Sequence, residues 1–580
     1  MHDAKRSGRE KIDRARFSIP LARASRCVKV ASRLGGEPMV RTITGWVLAA
    51  MLGVAVAAPA DANNWVRVDS AHFTVFSDLS AKNAEAYLMK LEAYRYILGG
   101  FHGVTKADDA ATPKLRFYFV DTLGELRQTF PRAGDDVAGF YKGCAEGEAA
   151  IGLYEKGLIQ ETHNVNGQAE NPTQIVLFHE YAHDFMFQHS SQAYPKWYVE
   201  GFAEFYSTTK IQGDQALVGM EFSWRVAALT HGALSIPYAD LLRDTWRPKQ
   251  GEPSNPLVES FYAQSWLLTH YILSDPQRHQ QFQAFLDVYR SDQDPVEAFE
   301  KAFGIKVKDL DNTLQSYFNR MEATEYLIHD MPTSAVTTTV LPPSAQKLLL
   351  WDAYDRICPA PEDRPALLAK IQAEAAKYPG DAFAEDVLAR AEIVIGDESQ
   401  ALDYLKQRVA AHPDDAEGYF MLGQTWYLMT AHKHILDGQT PQSQSEAARV
   451  ALARSAQLAP LYAPALYYYS LALAVPGQLP SDDMIAAAMA AHALAPSVET
   501  YSLHAAGLLV VRGRLAEAKQ MLIPLASNPH QPAQAAWATN IITIIDRQGS
   551  QADVMAALEA PVEPDATKPP PGGKPGGERN

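Results

Sequence analysis

The stretch that decides the fold of the first half of this chain is His179-Glu-Tyr-Ala-His183. On a helix, His179 and His183 lie one turn apart on the same face, so both imidazoles can bind one zinc ion. Glu180 then lies beside the metal rather than against it, where it can accept a proton from a water molecule. The pattern predicts a hydrolytic zinc site.

A second motif, Trp197-Tyr-Val-Glu-Gly-Phe-Ala-Glu204, begins 14 residues after His183 and predicts an antiparallel helix. Catalytic zinc sites usually have three protein ligands, and Glu200 completes a His, His, Glu set. Glu204 lies one turn further on, placed to accept the ring N–H of a ligand histidine. Gly201 is expected to let the two helices approach closely. The alternatives are two unrelated histidines on a surface helix and a solvated Glu204.

These motifs resemble those of the gluzincins, zinc peptidases of the peptidase-MA-like group. The resemblance covers about residues 65–320 and includes Phe261-Tyr-Ala-Gln-Ser-Trp266. It implies an α+β zincin-like domain in which Zn²⁺ is bound by three ligands and Glu180 is the general base. The implied ligands are His179, His183 and Glu200.

The resemblance also implies two features of substrate binding. Tyr262 lies 62 residues after Glu200 and is the candidate for stabilising the oxyanion. The strand before the first motif, near Ala149–Tyr154, is expected to pair with an extended peptide. An aromatic core stripe is the alternative for Tyr262. The remaining histidines of this half are expected to be structural or exposed, namely His163, His189, His231 and His270.

The region before the first motif alternates short strands with one helix. His72–Phe76 and Leu115–Val120 are predicted strands because they are rich in aromatic and β-branched residues. Between them, Leu88, Leu91, Tyr94 and Leu98 recur at helical spacing. Residues 137–141 and 149–154 are predicted to form a further strand pair. Helices are expected from Asn171 and Pro195, and over 257–275 and 277–320.

The second half carries a repeat with a period close to 34 residues, marked by Pro379, Pro413, Pro460, Pro496 and Pro529. It resembles the tetratricopeptide family over about residues 346–550. Tyr419-x-x-Leu-Gly-x-x-Trp426 fits the first helix of that repeat, and Ala401 with Leu405 and Ala518 with Leu522 fit the second. An insertion at 432–444 explains the one interval of 47 residues. A generic array of helical hairpins is the alternative.

The chain is thus expected to be an α+β zincin-like domain followed by an all-α tetratricopeptide-type repeat domain. The predicted segments are 1–62 (lead-in and signal peptide), 63–330 (catalytic domain), 331–345 (linker), 346–560 (repeats) and 561–580 (disordered tail).

The predicted signal peptide places an apolar run, Trp46–Ala58, after Arg41 and before small residues. Met39 is the expected true start, because it gives a signal peptide of ordinary length. The run is too short to span a bilayer comfortably, so no stable membrane span is expected after cleavage. The protein is therefore predicted to be exported, to the periplasm or beyond.

The composition limits the kinds of partner and the cysteine pairing that can be expected. A formal net charge of -16 argues against nucleic acid as a partner. Of the three cysteines, Cys144 and Cys358 can pair, but their positions in different predicted domains favour free thiols.

The expected function is zinc-dependent hydrolysis of peptide bonds in a peptide or protein substrate, with the repeats recruiting that substrate or a protein partner. The alternative is a catalytically weak or inactive zincin fold that serves as a platform for a repeat-based binding module.

Overall fold

The computed structural model describes residues 64–560 and 562, apart from 135–136, 154–161, 164–168, 171, 191, 232–234, 248–253, 290–292, 330, 332–333 and 529–530. The predicted signal peptide, the predicted helix start Asn171 and all of the predicted tail except residue 562 lie outside these residues. The described chain is mixed α+β in its first part and helical in its second.

The first part contains all the strands of the described chain, in three sheets. The strands are β1 (Val66–Asp69), β2 (Phe73–Ser77), β3 (Leu115–Val120), β4 (Gly139–Cys144), β5 (Gly147–Leu153), β6 (Thr162–His163), β7 (Ala169–Glu170), β8 (Lys210–Gln212), β9 (Gln215–Val218), β10 (Thr324–Leu327) and β11 (Thr337–Val340). The helices are α1 (Ala81–His102), α2 (Lys106–Ala110), α3 (Leu123–Thr129), α4 (Pro172–His189), α5 (Lys196–Ser207), α6 (Ser223–His231), α7 (Tyr238–Arg243), α8 (Ser254–Leu273), α9 (Pro276–Tyr289), α10 (Pro295–Phe303) and α11 (Val307–Phe318).

The main sheet has six strands in the order β11-β1-β2-β3-β5-β4. The strands β2, β3 and β5 run parallel, and β4 pairs with β5 antiparallel at one edge. One face packs on α1 and α4 through a core that includes Phe73, Val75 and Phe117. The strands thus place α4 beside the edge strand β4.

The predicted elements of this region are confirmed. The strands expected at 72–76 and 115–120 are β2 and β3, and the strand pair is β4 and β5. The four residues that predicted α1 are fully buried, namely Leu88, Leu91, Tyr94 and Leu98. The helix that begins after Pro195 is α5, and the helix expected at 257–275 is α8.

The region expected to be helical at 277–320 consists of the three helices α9, α10 and α11. Pro295 starts α10, and Gly304, at a positive φ of 69°, ends it. The predicted linker at 331–345 contains β11, which pairs with β1 as the other edge of the main sheet. Its Thr-Thr-Thr-Val sequence has no apolar periodicity, yet its β-branched residues suit an exposed edge strand.

The second part is helical throughout its described residues. Its helices are α12 (Ala345–Arg356), α13 (Arg364–Ala375), α14 (Ala382–Ile395), α15 (Leu402–Ala411), α16 (Ala416–Ala431), α17 (Pro441–Leu458), α18 (Ala463–Ala472), α19 (Asp482–Leu494), α20 (Glu499–Val511), α21 (Leu515–Ala526), α22 (Pro532–Asp546) and α23 (Gln551–Glu559), with a 3-10 turn at Glu398–Ala401. Consecutive helices pack on each other along most of this array.

The repeat signals of the sequence coincide with these helices. Four of the five spaced prolines lie three residues before the first residue of a helix, α14, α16, α18 or α20; Pro529 lies outside the described residues. In α16, a Cβ at Gly423 would lie 2.5 Å from Cγ of Leu452, so the glycine lets α17 pack closely. The predicted insertion includes the connection between α16 and α17.

The two parts share an interface. The second face of the main sheet, with Tyr118, Val120 and Ile151, packs on α12 in one core with Leu348 and Leu349. A disulfide joins Cys144 at the end of β4 to Cys358 just after α12, with 6.1 Å between the Cα atoms. The prediction that favoured free thiols is wrong because the end of the β4–β5 hairpin reaches across to the helical part.

None of the helices in the described residues is long and apolar enough to cross a membrane.

Candidate metal centre

The helix α4 is fixed against the sheet before it presents its histidines. A Cβ at Gly152 in β5 would lie 2.6 Å from Cδ2 of Leu177, so this glycine makes room for α4. From the other side, the Tyr94 ring stacks on Phe178 at 3.8 Å and its hydroxyl donates to the Phe178 carbonyl. The turn that follows, 179–183, is thus held in place by neighbours on two elements.

The candidate ligands converge on one point. Nε2 of His179 lies 3.0 Å from Nε2 of His183. Oε2 of Glu200, from α5, lies 3.3 Å from the first nitrogen and 3.4 Å from the second. The Glu200 side chain is 1% exposed. Within the described residues this is the one group of three or more His, Cys, Asp or Glu side chains that can hold a metal ion.

The donor set fits zinc. Zinc binds histidine nitrogen and carboxylate oxygen at about 2.0–2.1 Å in tetrahedral geometry, which requires donor atoms about 3.3 Å apart. The three measured edges of 3.0–3.4 Å agree with this requirement. If zinc were bound, two neutral imidazoles and one carboxylate would leave one of its four positions for water or substrate.

Glu204 links the first histidine to a residue that the sequence motifs do not include. Its Oε1 lies 3.4 Å from Nδ1 of His179, as predicted for a carboxylate that orients a ligand ring. Arg225 in α6 donates to both carboxylate oxygens, at 2.9 Å and 2.7 Å. Glu204 is 3% exposed, so the solvated alternative is wrong. The only local signal for Arg225 is one charge within the apolar run Trp224–Leu229.

The carboxylates around His179 make the site attractive to cations. Burial alone lowers the pKa of His179, but the hydrogen bond to Glu200 and the charges of Glu204, Glu200 and Glu180 outweigh it and raise the pKa to about 9. The same carboxylates would favour a metal ion in place of this proton.

Tyr262 in α8 lies at the same site. The centroid of the Tyr262 ring is 6.3 Å from that of His179. The Arg225 guanidinium carbon lies over the Tyr262 ring, 4.9 Å from its centroid. The charge of Glu200, then burial and the charge of Glu204, raise the pKa of the Tyr262 hydroxyl well above its usual value. The phenol is therefore a stable hydrogen-bond donor beside the ligands.

Glu180 follows the first ligand on α4 and is half-buried. Its charge is close enough to raise the pKa of both His179 and Tyr262. The carboxylate therefore lies near the centre without being one of its three donors.

Two expectations about packing are wrong. The strand expected to pair with a peptide, β5, has both edges occupied by β3 and β4, so β4 is the edge strand beside α4. Gly201 faces α8 rather than α4, since a Cβ there would lie 2.1 Å from Oγ1 of Thr269 and 2.4 Å from the Ser265 carbonyl. The absence of a side chain thus brings α8, with Tyr262, close to the ligand helix.

The histidines outside the motif do not join the centre where they are described. His270 is fully buried and its ring nitrogens lie 2.7 Å from the Tyr317 hydroxyl and 2.8 Å from the Gly219 carbonyl, as predicted for a structural residue. His189 is the last residue of α4. The side chains of His163 and His231 lie outside the described residues.

Comparisons of the chain with protein-family models, with curated proteins and with solved structures find no match.

Proposed function

We propose that this chain is a zinc-dependent peptidase of the gluzincin type. The observation that carries the proposal is the triangle formed by His179, His183 and Glu200, whose edges measure 3.0–3.4 Å. A base next to the ligands and a protonated phenol on a third helix support hydrolysis rather than a purely structural metal site. Among the described strands β4 is an edge of the main sheet, which supports an extended peptide as the substrate.

The residues around the metal have separate roles in this proposal. When bound, zinc acts as a Lewis acid and lowers the pKa of its water to about 7. Glu180 accepts the proton of the attacking water and passes it to the leaving amine. The Tyr262 hydroxyl donates a hydrogen bond to the oxygen that becomes negative during the attack. Glu204, itself held by Arg225, fixes the orientation of the His179 ring.

We assign the helical part to the tetratricopeptide type, with a protein partner or the substrate as its external ligand. The spacing of the prolines and their fixed distance from helix starts support this assignment. The disulfide between Cys144 and Cys358 supports export to an oxidising compartment, the periplasm or beyond, because such bonds are rare in the cytosol.

The test is zinc content together with proteolysis in the purified full-length protein. We expect about one zinc per chain by elemental analysis, markedly less in Glu200→Ala, and no change in Glu297→Ala, an exposed glutamate of α10. Glu180→Gln is expected to keep its zinc and lose cleavage of fluorescein-labelled casein. A parent protein that takes up no zinc overturns the proposal and favours the binding-platform alternative.

A further inference from the structure

The end of the β4–β5 hairpin projects beyond the main sheet. β5 pairs with β3 only from Ala149 to Leu153, so Gly147 and Glu148 extend past it, as do Gly143 and Cys144 of β4. A two-stranded hairpin is marginally stable on its own. This end therefore needs contacts outside the sheet to hold one position.

Those contacts come from the helical part. At the turn, Glu146 is 9% exposed and its carboxylate accepts two hydrogen bonds, from Nε2 of Gln424 at 2.6 Å and from the Tyr468 hydroxyl at 2.8 Å. The Tyr501 hydroxyl donates to the backbone carbonyl of Ala145 at 3.0 Å. The donors lie on α16, α18 and α20, so three helices hold the turn.

The flanks of the hairpin are held as well. Ser497, just before α20, donates to the Glu148 carboxylate at 2.8 Å. Cys144 is covalently joined to Cys358, and Lys142 donates to the Cys358 carbonyl at 3.0 Å. The helical part thus contacts both strands of the hairpin, as a peptide-binding domain contacts a peptide.

The same hairpin also contacts α4, the helix that carries His179 and His183. The Tyr141 hydroxyl on β4 donates to Glu148 and lies 3.4 Å from Oδ1 of Asp184, the residue after the ligand His183. A Cβ at Gly139 would lie 3.4 Å from Cγ1 of Val176 in α4. The first half of β4 therefore contacts α4, and its second half contacts the helical part.

We propose that the helical part is the receptor for the β4–β5 hairpin and thereby holds β4 as the edge on which the substrate pairs. Glu146, Gln424 and Tyr468 are positioning residues: they act on the reaction through the strand and touch no reacting atom. The part of the proposal that concerns substrate rests on the proposed peptidase function. The receptor contact itself does not.

The test exchanges the donor and acceptor at the turn. Gln424→Glu opposes two carboxylates and is expected to release the hairpin, whereas adding Glu146→Gln to it restores a hydrogen-bonded pair. Tyr468→Phe removes one donor only and is the milder variant. Gln442→Glu, at an exposed position of α17, makes the same charge change away from the hairpin.

Two quantities are measured in the full-length protein with its zinc content checked. In Gln424→Glu, amide hydrogen exchange in 139–148 is expected to be at least tenfold faster, with 115–120 unchanged. KM for labelled casein is expected to rise about tenfold, with kcat within twofold of the parent. The double variant is expected to restore both values, and Gln442→Glu to change neither.

The outcomes separate this proposal from the proposed function. Unchanged exchange in both Gln424→Glu and Tyr468→Phe overturns the receptor contact, and faster exchange with unchanged KM overturns its role in substrate binding. A parent protein without peptidase activity overturns the proposed function and, with it, the substrate role. In that case, faster exchange that the double variant restores still supports the receptor contact.

Discussion

The Glu204 carboxylate lies 3.4 Å from Nδ1 of His179, on the side of the ring opposite the nitrogen that faces Glu200. One glutamate of α5 is therefore a candidate ligand, while the other, one turn away, lies against the ring of a candidate ligand. Because Arg225 donates two hydrogen bonds to Glu204, the contacts that hold the His179 ring do not depend on a metal ion.

Replacing Glu204 by Gln tests this chain. We expect zinc affinity to fall about 10- to 100-fold, because partners that orient metal ligands typically contribute that much. Competition with a chelator of known affinity measures it. Glu259→Gln is the matched control, since Glu259 binds the same Arg225 but is half-exposed. Equal losses in the two variants would assign the effect to Arg225 rather than to the His179 contact.

Tyr262→Phe tests the role of the phenol. We expect kcat to fall about 10²- to 10³-fold, as when one donor to an oxyanion is removed, while zinc content stays at the parent level. Tyr271→Phe, further along α8, is the control, because the Tyr271 ring packs on Tyr317. An unchanged kcat in Tyr262→Phe removes this residue from the catalytic groups and leaves it as part of the core.

Zinc binding is expected to release a proton from His179. Because its carboxylate neighbours raise the pKa of His179 to about 9, we expect this histidine to be protonated at pH 7.5 in the metal-free protein and to lose the proton on binding zinc. Apparent affinity therefore decreases, by up to about tenfold per pH unit, as the pH falls below 9. Titration calorimetry in Tris and in HEPES measures the released protons through the difference in buffer ionisation heat. Identical heats in the two buffers contradict the prediction.

The disulfide is expected to stabilise the folded chain. It closes a segment of 214 residues, and bonds of this kind typically contribute about 2–4 kcal/mol by restricting the unfolded chain. Urea unfolding of the double variant Cys144→Ser with Cys358→Ser measures the loss. A reducing agent should lower the midpoint of the parent and leave that of the variant unchanged. A variant as stable as the oxidised parent would falsify this expectation.

Glu146→Gln is expected to change how stability depends on pH. Burial raises the pKa of Glu146 despite the hydrogen bonds from Tyr468 and Gln424. Stability that depends on its protonation is fully present below the unfolded pKa of about 4.3 and is lost as the pH rises through the folded pKa.

The variant should therefore gain stability relative to the parent from pH 4.5 to pH 8, by about 1.4 kcal/mol for each unit that burial adds to the pKa. Thermal unfolding of both proteins across this range gives the difference in their free energies of unfolding. The contributions of the other buried carboxyls are the same in both proteins and cancel in this difference. A constant difference over that range contradicts the prediction.

The sequence was most informative where the interacting residues are close along the chain. The spacing of His179 and His183 on one helical turn, and of Glu200 and Glu204 on the next helix, predicts which side chains meet. The proline spacing likewise predicts where helices of the second part begin.

The contacts that the sequence did not predict span long separations. Glu146 and Gln424 are 278 residues apart, Cys144 and Cys358 are 214 apart, and β11 closes a sheet begun at Val66. Helical and strand periodicities describe single elements, so they cannot predict which distant turn fills a gap between helices. The contact between Arg225 and Glu204 could not be predicted from the sequence either, because only the packing of α6 brings the two side chains together.

The reach of the β4–β5 hairpin into the helical part has a consequence for biosynthesis. Of the contacts described above, the hydrogen bond from Tyr501 to the Ala145 carbonyl involves the residue furthest along the chain. It can form only after the ribosome has translated most of the chain. The edge of the sheet next to the candidate ligands thus stays without its full support while the chain emerges. The hairpin is therefore fully supported only once Tyr501 has been translated, so a chain truncated before Tyr501 contains the His179–His183 motif but lacks this contact.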